Sequence, residues 1–121
     1  MVVFVEDHTL RHAILSVIAD NEMMMILDCA TVRSKSVNDI IRETAIPHST
    51  AYRKIKWMLE QGLLFTEKMD ITLDGKKFSL FRSTIKWINI RYELGNITVE
   101  VEYNINVVER TAERLFSLGV D

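Results

Sequence analysis

The segment IPHSTAYRKIKWMLEQGLL, Ile46 to Leu64, holds the chain's only proline, a polar and basic middle, and a glycine near its end. Pro47 suits a first helical turn, where its missing N–H costs nothing. It also drives Ile46 out of the α region, which forces a turn after Ala45. Stepping about 100° per residue from Ala51, the side chains of Ile55, Met58 and Leu59 cluster within about 80° of it, which predicts a helix over 47–61 with that side buried. Ser49, Arg53, Lys56 and Glu60 fall on the opposite side, with Tyr52 and Trp57 on its flanks. Gly62 is placed to end the helix.

Working upstream, Ser36 followed by Asp39 forms a capping box with Asp in place of the usual Glu. Val37, Ile40, Ile41 and Thr44 give the short helix that follows a buried side. Two helices separated by about four residues make a helix-turn-helix candidate over 36–62. Asp7 caps an earlier helix, His8 to Ala19, in which Leu10, Ala13, Ile14, Val17 and Ile18 recur at helical spacing. Asp20 or Asn21 caps the next, running to about Val32, with Met23, Ile26, Leu27 and Ala30 as its inner stripe. The run Met23-Met24-Met25 suits either a soft ligand surface or irregular core gaps, the second being the commoner use.

Downstream of Leu63 the period changes from 3.6 to 2. LLFTEKMDITL and KKFSLFRST flank Asp74-Gly75, a strong hairpin dipeptide, so 63–84 reads as a hairpin. A β-rich run from Ile85 breaks at Gly95-Asn96 and resumes in ITVEVEY, which predicts a second hairpin over 85–103. Asn106 with Glu109 caps a final helix over 105–119, striped by Val108, Ala112, Leu115 and Leu118. The expected class is α+β, one domain spanning 1–121, a length that supports a single core.

The net charge of −2 argues by itself against nucleic acid, but its distribution does not. Residues 31–86 carry eleven bases and six acids, whereas 1–30 and 87–121 are acidic. A basic centre on an acidic body is the asymmetry of a polyanion-binding face. In a helix-turn-helix the N-terminal half of the second helix enters the DNA major groove, which needs small or hydrogen-bonding residues first and then bases. His48, Ser49, Thr50, Tyr52, Arg53 and Lys56 supply that series in order, and the helix N-terminus at Ser49 and Thr50 can take a phosphate.

The stretch SVNDIIRETAIPHSTAYRKIKWMLEQGLL resembles the helix-turn-helix of winged-helix transcription regulators, especially ArsR-like proteins of archaea, and DNEMMMILDCA resembles the helix that precedes it there. The resemblance covers about Asp20 to Thr84. It implies a winged-helix fold, to which the element order of this chain adds an N-terminal helix, a second hairpin and a C-terminal helix. It implies base or backbone contacts for Ser49, Thr50, Tyr52 and Arg53, and a wing, KMDITLDGKKFSL, whose Lys76 and Lys77 reach flanking phosphates or the minor groove. It also implies a homodimer built by the helices at His8–Ala19 and Val107–Leu118, through Leu10, Ile14, Val17, Val108, Leu115 and Leu118. Two features depart from it: Ala45 stands where many members have glycine, and the 85–103 hairpin has no counterpart. That hairpin is open to extending the wing sheet, covering the dimer interface or shaping an effector pocket.

The expected function is therefore a homodimeric, sequence-specific binder of double-stranded DNA that regulates transcription. The rival reading is a winged helix used as a protein-interaction module in a larger assembly, which the net acidity and Trp57 favour. No nucleophile elbow, P-loop or dinucleotide fingerprint occurs, so no enzyme and no cofactor are expected. His8 and His12 have the i, i+4 spacing of metal ligands, with Asp7, Asp28 and Cys29 as further donors, but a lone His pair is more often polar surface chemistry. Trp57 and Trp87 either stack on nucleic acid or pack against protein, and packing is the commoner role. The single Cys29, the lack of a long apolar run and the lack of a secretion leader point to a cytoplasmic protein without membrane contact.

Overall fold

The computed structural model describes residues 1–104; the final helix expected at 105–119, with its Asn106–Glu109 cap, lies outside them. Among the described residues the chain is α+β, with four helices and two small antiparallel sheets. The order is β1 (Val2–Phe4), α1 (His8–Ile18), α2 (Asn21–Cys29), α3 (Val37–Thr44), α4 (His48–Glu60), β2 (Leu64–Ile71), β3 (Lys77–Ser83), β4 (Ile85–Glu93) and β5 (Asn96–Tyr103).

The helix starts follow from their caps. The Asp7 carboxylate accepts from the Thr9 N–H, and that of Asp20 from the Met23 N–H, each satisfying a first-turn donor that has no helical partner. At α3 both halves of the capping box form: the Ser36 hydroxyl accepts from the Asp39 N–H at 3.1 Å and the Asp39 carboxylate from the Ser36 N–H at 3.0 Å. Helix α2 ends at Cys29, three residues short of the expected Val32. Pro47 sits at the N-cap of α4, one position before the first turn. The tight turn between α3 and α4 places Ala45 at φ +61°, the left-handed region that the sequence leaves to a residue with a Cβ.

The hairpin of β2 and β3 closes through Thr72–Leu73–Asp74–Gly75. The Gly75 N–H donates to the Thr72 carbonyl, Gly75 has φ +86°, and the Thr72 N–H then pairs with the Lys76 carbonyl. Asp74-Gly75 therefore ends a three-residue loop with a left-handed glycine rather than forming a two-residue turn. The second hairpin does use a two-residue turn, Leu94-Gly95, with both φ values positive. Strand β1, which no sequence pattern indicated, adds to β5, giving a sheet ordered β1-β5-β4.

The core lies between these sheets and the helices. Ile14 and Val17 of α1, Ile26 of α2, Ile40 of α3 and Met58 of α4 meet Leu63, Ile85, Val99 and Val101, all fully buried or nearly so. Each such aliphatic side chain contributes about 1.5–3 kcal/mol relative to exposure. The first hairpin is held to the helices by backbone bonds. Lys35 and Phe81 exchange two, at 2.8 and 2.7 Å, and the Ser83 N–H donates to the Ala30 carbonyl at 2.9 Å.

Candidate nucleic-acid interface

Helix α4 divides cleanly. Its inner side buries Ala51, Lys54, Ile55 and Met58, with Leu59 and Trp57 half-buried against the core. Its outer side exposes His48, Ser49, Tyr52, Arg53, Lys56 and Glu60, and Thr50 is half-buried. The rings of His48 and Tyr52 lie 4.7 Å apart at a tilt of 44°, so the first turn presents a fixed aromatic shelf. No side chain caps the helix start, which leaves first-turn N–H groups pointing outward with the positive end of the helix dipole.

Two grooves adjoin this face. One of about 540 Å³ runs between α3, α4 and β3, with an apolar floor of Val37, Ile55, Leu59 and Phe81 and a rim of Tyr52, Arg53 and Lys56. The other, about 610 Å³, lies between the start of α3 and the hairpin and reaches from Asp39 to Lys77. Tyr52 separates the two. Lys76 and Lys77 are exposed where the loop passes into β3. Acids share this region: Asp70 is on β2, and the Thr72 hydroxyl bonded to Asp74 holds that carboxyl below its usual range. The Asp39 carboxyl is likewise held low, first by the Ser36 N–H.

Ion pairing sorts the central bases into two classes. Lys35 pairs with Glu43, Arg42 with Asp39, Arg82 with Glu67, and Lys54 with Asp20 and Glu22. Arg53, Lys56, Lys76 and Lys77, the bases that the sequence marked for DNA, have no acidic partner among the described residues, as is true also of Arg33, Lys68 and Lys86.

Lys54 is the residue that the sequence reading missed. It is 8% exposed, and its ammonium donates to both oxygens of Asp20 at 2.9 and 2.8 Å and to Glu22 at 2.8 Å. The carboxylates raise the Lys54 pKa, and the Lys54 hydrogen bond lowers that of Asp20. Because Asp20 also caps α2, one carboxylate fastens the start of α2 to the inner side of α4. The signal was available: a lysine three residues after Ala51 falls on the buried stripe, and such a charge needs partners.

The expected dimer residues fare differently. Ile14 and Val17 are 0% and 1% exposed inside the chain's own core, so neither can meet a second copy. Helix α1 is amphipathic, but the face chosen for the partner packs inward against α2 and the three-stranded sheet. Leu10 is half-buried against the same core, and Val108, Leu115 and Leu118 lie outside the described residues.

His8 and His12 are exposed on α1 beside Arg11, whose guanidinium shares their shallow cavity. Among the described residues no group of three or more His, Cys, Asp or Glu side chains is gathered as for a metal ion. The Cys29 thiol donates to the Ile26 carbonyl at 3.3 Å, and burial pushes its pKa up to about 11. The methionines of α2 are half-buried against the core. Trp57 packs there too, while Trp87 is partly exposed and donates its indole N–H to Glu102. No helix among the described residues is long and apolar enough to cross a membrane.

The chain matches no protein-family model, no curated protein and no solved structure.

Proposed function

We propose that this chain is a double-stranded-DNA-binding transcription regulator with the winged helix-turn-helix arrangement, of the ArsR-like kind, acting as a cytoplasmic homodimer without catalytic activity. In this reading α3 and α4 are the helix-turn-helix, α4 enters the major groove, and the β2–β3 hairpin is the wing. The observation that carries it is the outer side of α4: an uncapped helix start followed by exposed and unpaired Arg53 and Lys56. Open N–H groups and the helix dipole suit a phosphate, and the two bases suit phosphates or guanine edges one turn further on. Exposed Lys76 and Lys77 add flanking phosphate contacts.

Titration of a mixed duplex at about 50 and 200 mM salt tests the reading, since affinity then falls steeply with a slope of about −0.9 per phosphate neutralised. Replacing Arg53 and Lys56 together by alanine is expected to weaken binding and flatten that slope by about two phosphates' worth. An unchanged slope removes these residues from the interface.

The rival reading, a protein-interaction module, is favoured by the groove floored by Val37, Ile55, Leu59 and Phe81. Absence of duplex binding at the low salt concentration selects it.

A further inference from the structure

The groove between α3, α4 and β3 has an apolar floor of Val37, Ile55, Leu59 and Phe81, and among the described residues the charged groups of its lining are Arg53 and Lys56, with no acid. Neither base has an acidic partner among the described residues, so both heads are open to an incoming anion. Three residues apart on one helix, they lie within reach of a single carboxylate, which a guanidinium grips through two parallel N–H donors. Tyr52 closes one side as an aromatic wall, 49% exposed and backed by the His48 ring at 4.7 Å. The volume of about 540 Å³ falls in the range of small-molecule sites, and the seven lining residues are fewer than the roughly 20–30 a side of a stable protein interface.

We propose that this groove takes a small organic anion, an apolar aromatic or short-chain body with a carboxylate head, and that its binding excludes DNA. The body covers the floor and stacks on Tyr52, which removes apolar surface from water, while the head meets Arg53 and Lys56. Both halves of the ligand are needed. A neutral hydrocarbon leaves the two cations unanswered, and a bare inorganic anion leaves the floor wet. The exclusion rests on the DNA-binding reading above, because the bases that hold the head are those assigned to phosphates or guanine edges; the site itself does not depend on that reading. One pair of charges then serves two exclusive partners, so ligand at about ten times its Kd lowers the apparent DNA affinity about ten-fold.

The test uses the full chain with indole-3-acetate as the probe and uncharged indole-3-acetamide as the control, followed by amide NMR. Indole-3-acetate is expected to bind with a Kd on the order of 1 mM or tighter, as a ligand of about 13 non-hydrogen atoms can reach. It is expected to bind about ten-fold or more tighter than the amide, with shifts centred on Val37, Leu59 and Phe81. The Arg53→Gln, Lys56→Gln double variant is expected to keep its fold, since both side chains are exposed, and to lose that preference. Duplex binding by the parent at about 50 mM salt is expected to weaken in proportion to indole-3-acetate above its Kd, and not with the amide. Failure of indole-3-acetate to bind, equal binding of the two probes, or shifts centred elsewhere overturns the site and leaves the DNA reading standing where duplex still binds. Groove binding that leaves duplex affinity unchanged overturns the exclusion. Groove binding with no duplex binding at low salt keeps the site and overturns the exclusion together with the DNA reading. A probe that dissociates a dimer, or that shifts the amides of residues 105–121, shows a second copy or the chain's own end in the groove and overturns the small-ligand assignment.

Discussion

Lys54→Met removes one charge from the Asp20–Lys54–Glu22 cluster and leaves a side chain of similar length. Two carboxylates then face each other beside an apolar wall with no cation between them. Breaking a fully buried pair by deleting one partner costs about 3–5 kcal/mol. Here the acids keep 28% and 39% of their side-chain surface, so water screens part of the loss and about 1.5–3 kcal/mol remains. For a chain of this size that lowers Tm by about 5–15 °C in a thermal scan at pH 7. Asp20→Asn, which removes the acid but keeps an oxygen for the α2 cap, is expected to recover part of the loss in the double variant. The pH dependence has a defined sign. The folded-state pKa of Asp20 lies below its ordinary value, so its contribution is present above about pH 4 and disappears as pH falls through the depressed value. The gap between Lys54→Met and the parent therefore narrows below about pH 3.5. If Lys54→Met is within about 0.5 kcal/mol of the parent at pH 7, desolvation of the cluster cancels its attraction and the argument fails.

Two backbone positions predict stabilising substitutions. Ala45→Gly relieves a left-handed φ between α3 and α4, and chemical denaturation is expected to show a gain of about 0.5–1 kcal/mol, the steric relief exceeding the added unfolded-state entropy. Leu94→Asn does the same at φ +50° in the second hairpin, where the side chain is almost wholly exposed, with a gain of about 0.5–1 kcal/mol and no change in the denaturant slope. Cys29 is expected to react slowly with a disulfide reagent at pH 7.5, and its rate should climb with pH towards 11; fast modification at neutral pH would contradict its burial.

Local physics made much of the fold legible. The caps at Asp7, Asp20 and Ser36, the break at Gly62 and the switch to period 2 after Leu63 act over a few residues, and all four helices begin within one residue of where those signals put them. Both hairpins were legible from their turn glycines, although the second turn lies at Leu94-Gly95, one residue before the expected break at Gly95-Asn96. Strand β1 was not. VVF has no turn beside it, and its partner is a strand almost a hundred residues away, where only the closed tertiary structure brings Val3 opposite Val101.

The candidate site divides along the same line. Exposure of Ser49, Arg53 and Lys56 follows from helical periodicity, because a stripe that buries Ala51, Ile55 and Met58 must turn its other side outward. Which bases remain unpaired does not follow, since a charge meets its partner through space. Lys54 and Arg53 are neighbours in sequence, yet packing of α4 against the start of α2 neutralises one and leaves the other free. Periodicity likewise marked α1 as two-faced but could not say what its apolar face meets. The tertiary structure turned Ile14 and Val17 into the chain's own core and made β4 the last strand of its sheet among the described residues, because burial and edge pairing depend on which elements close together.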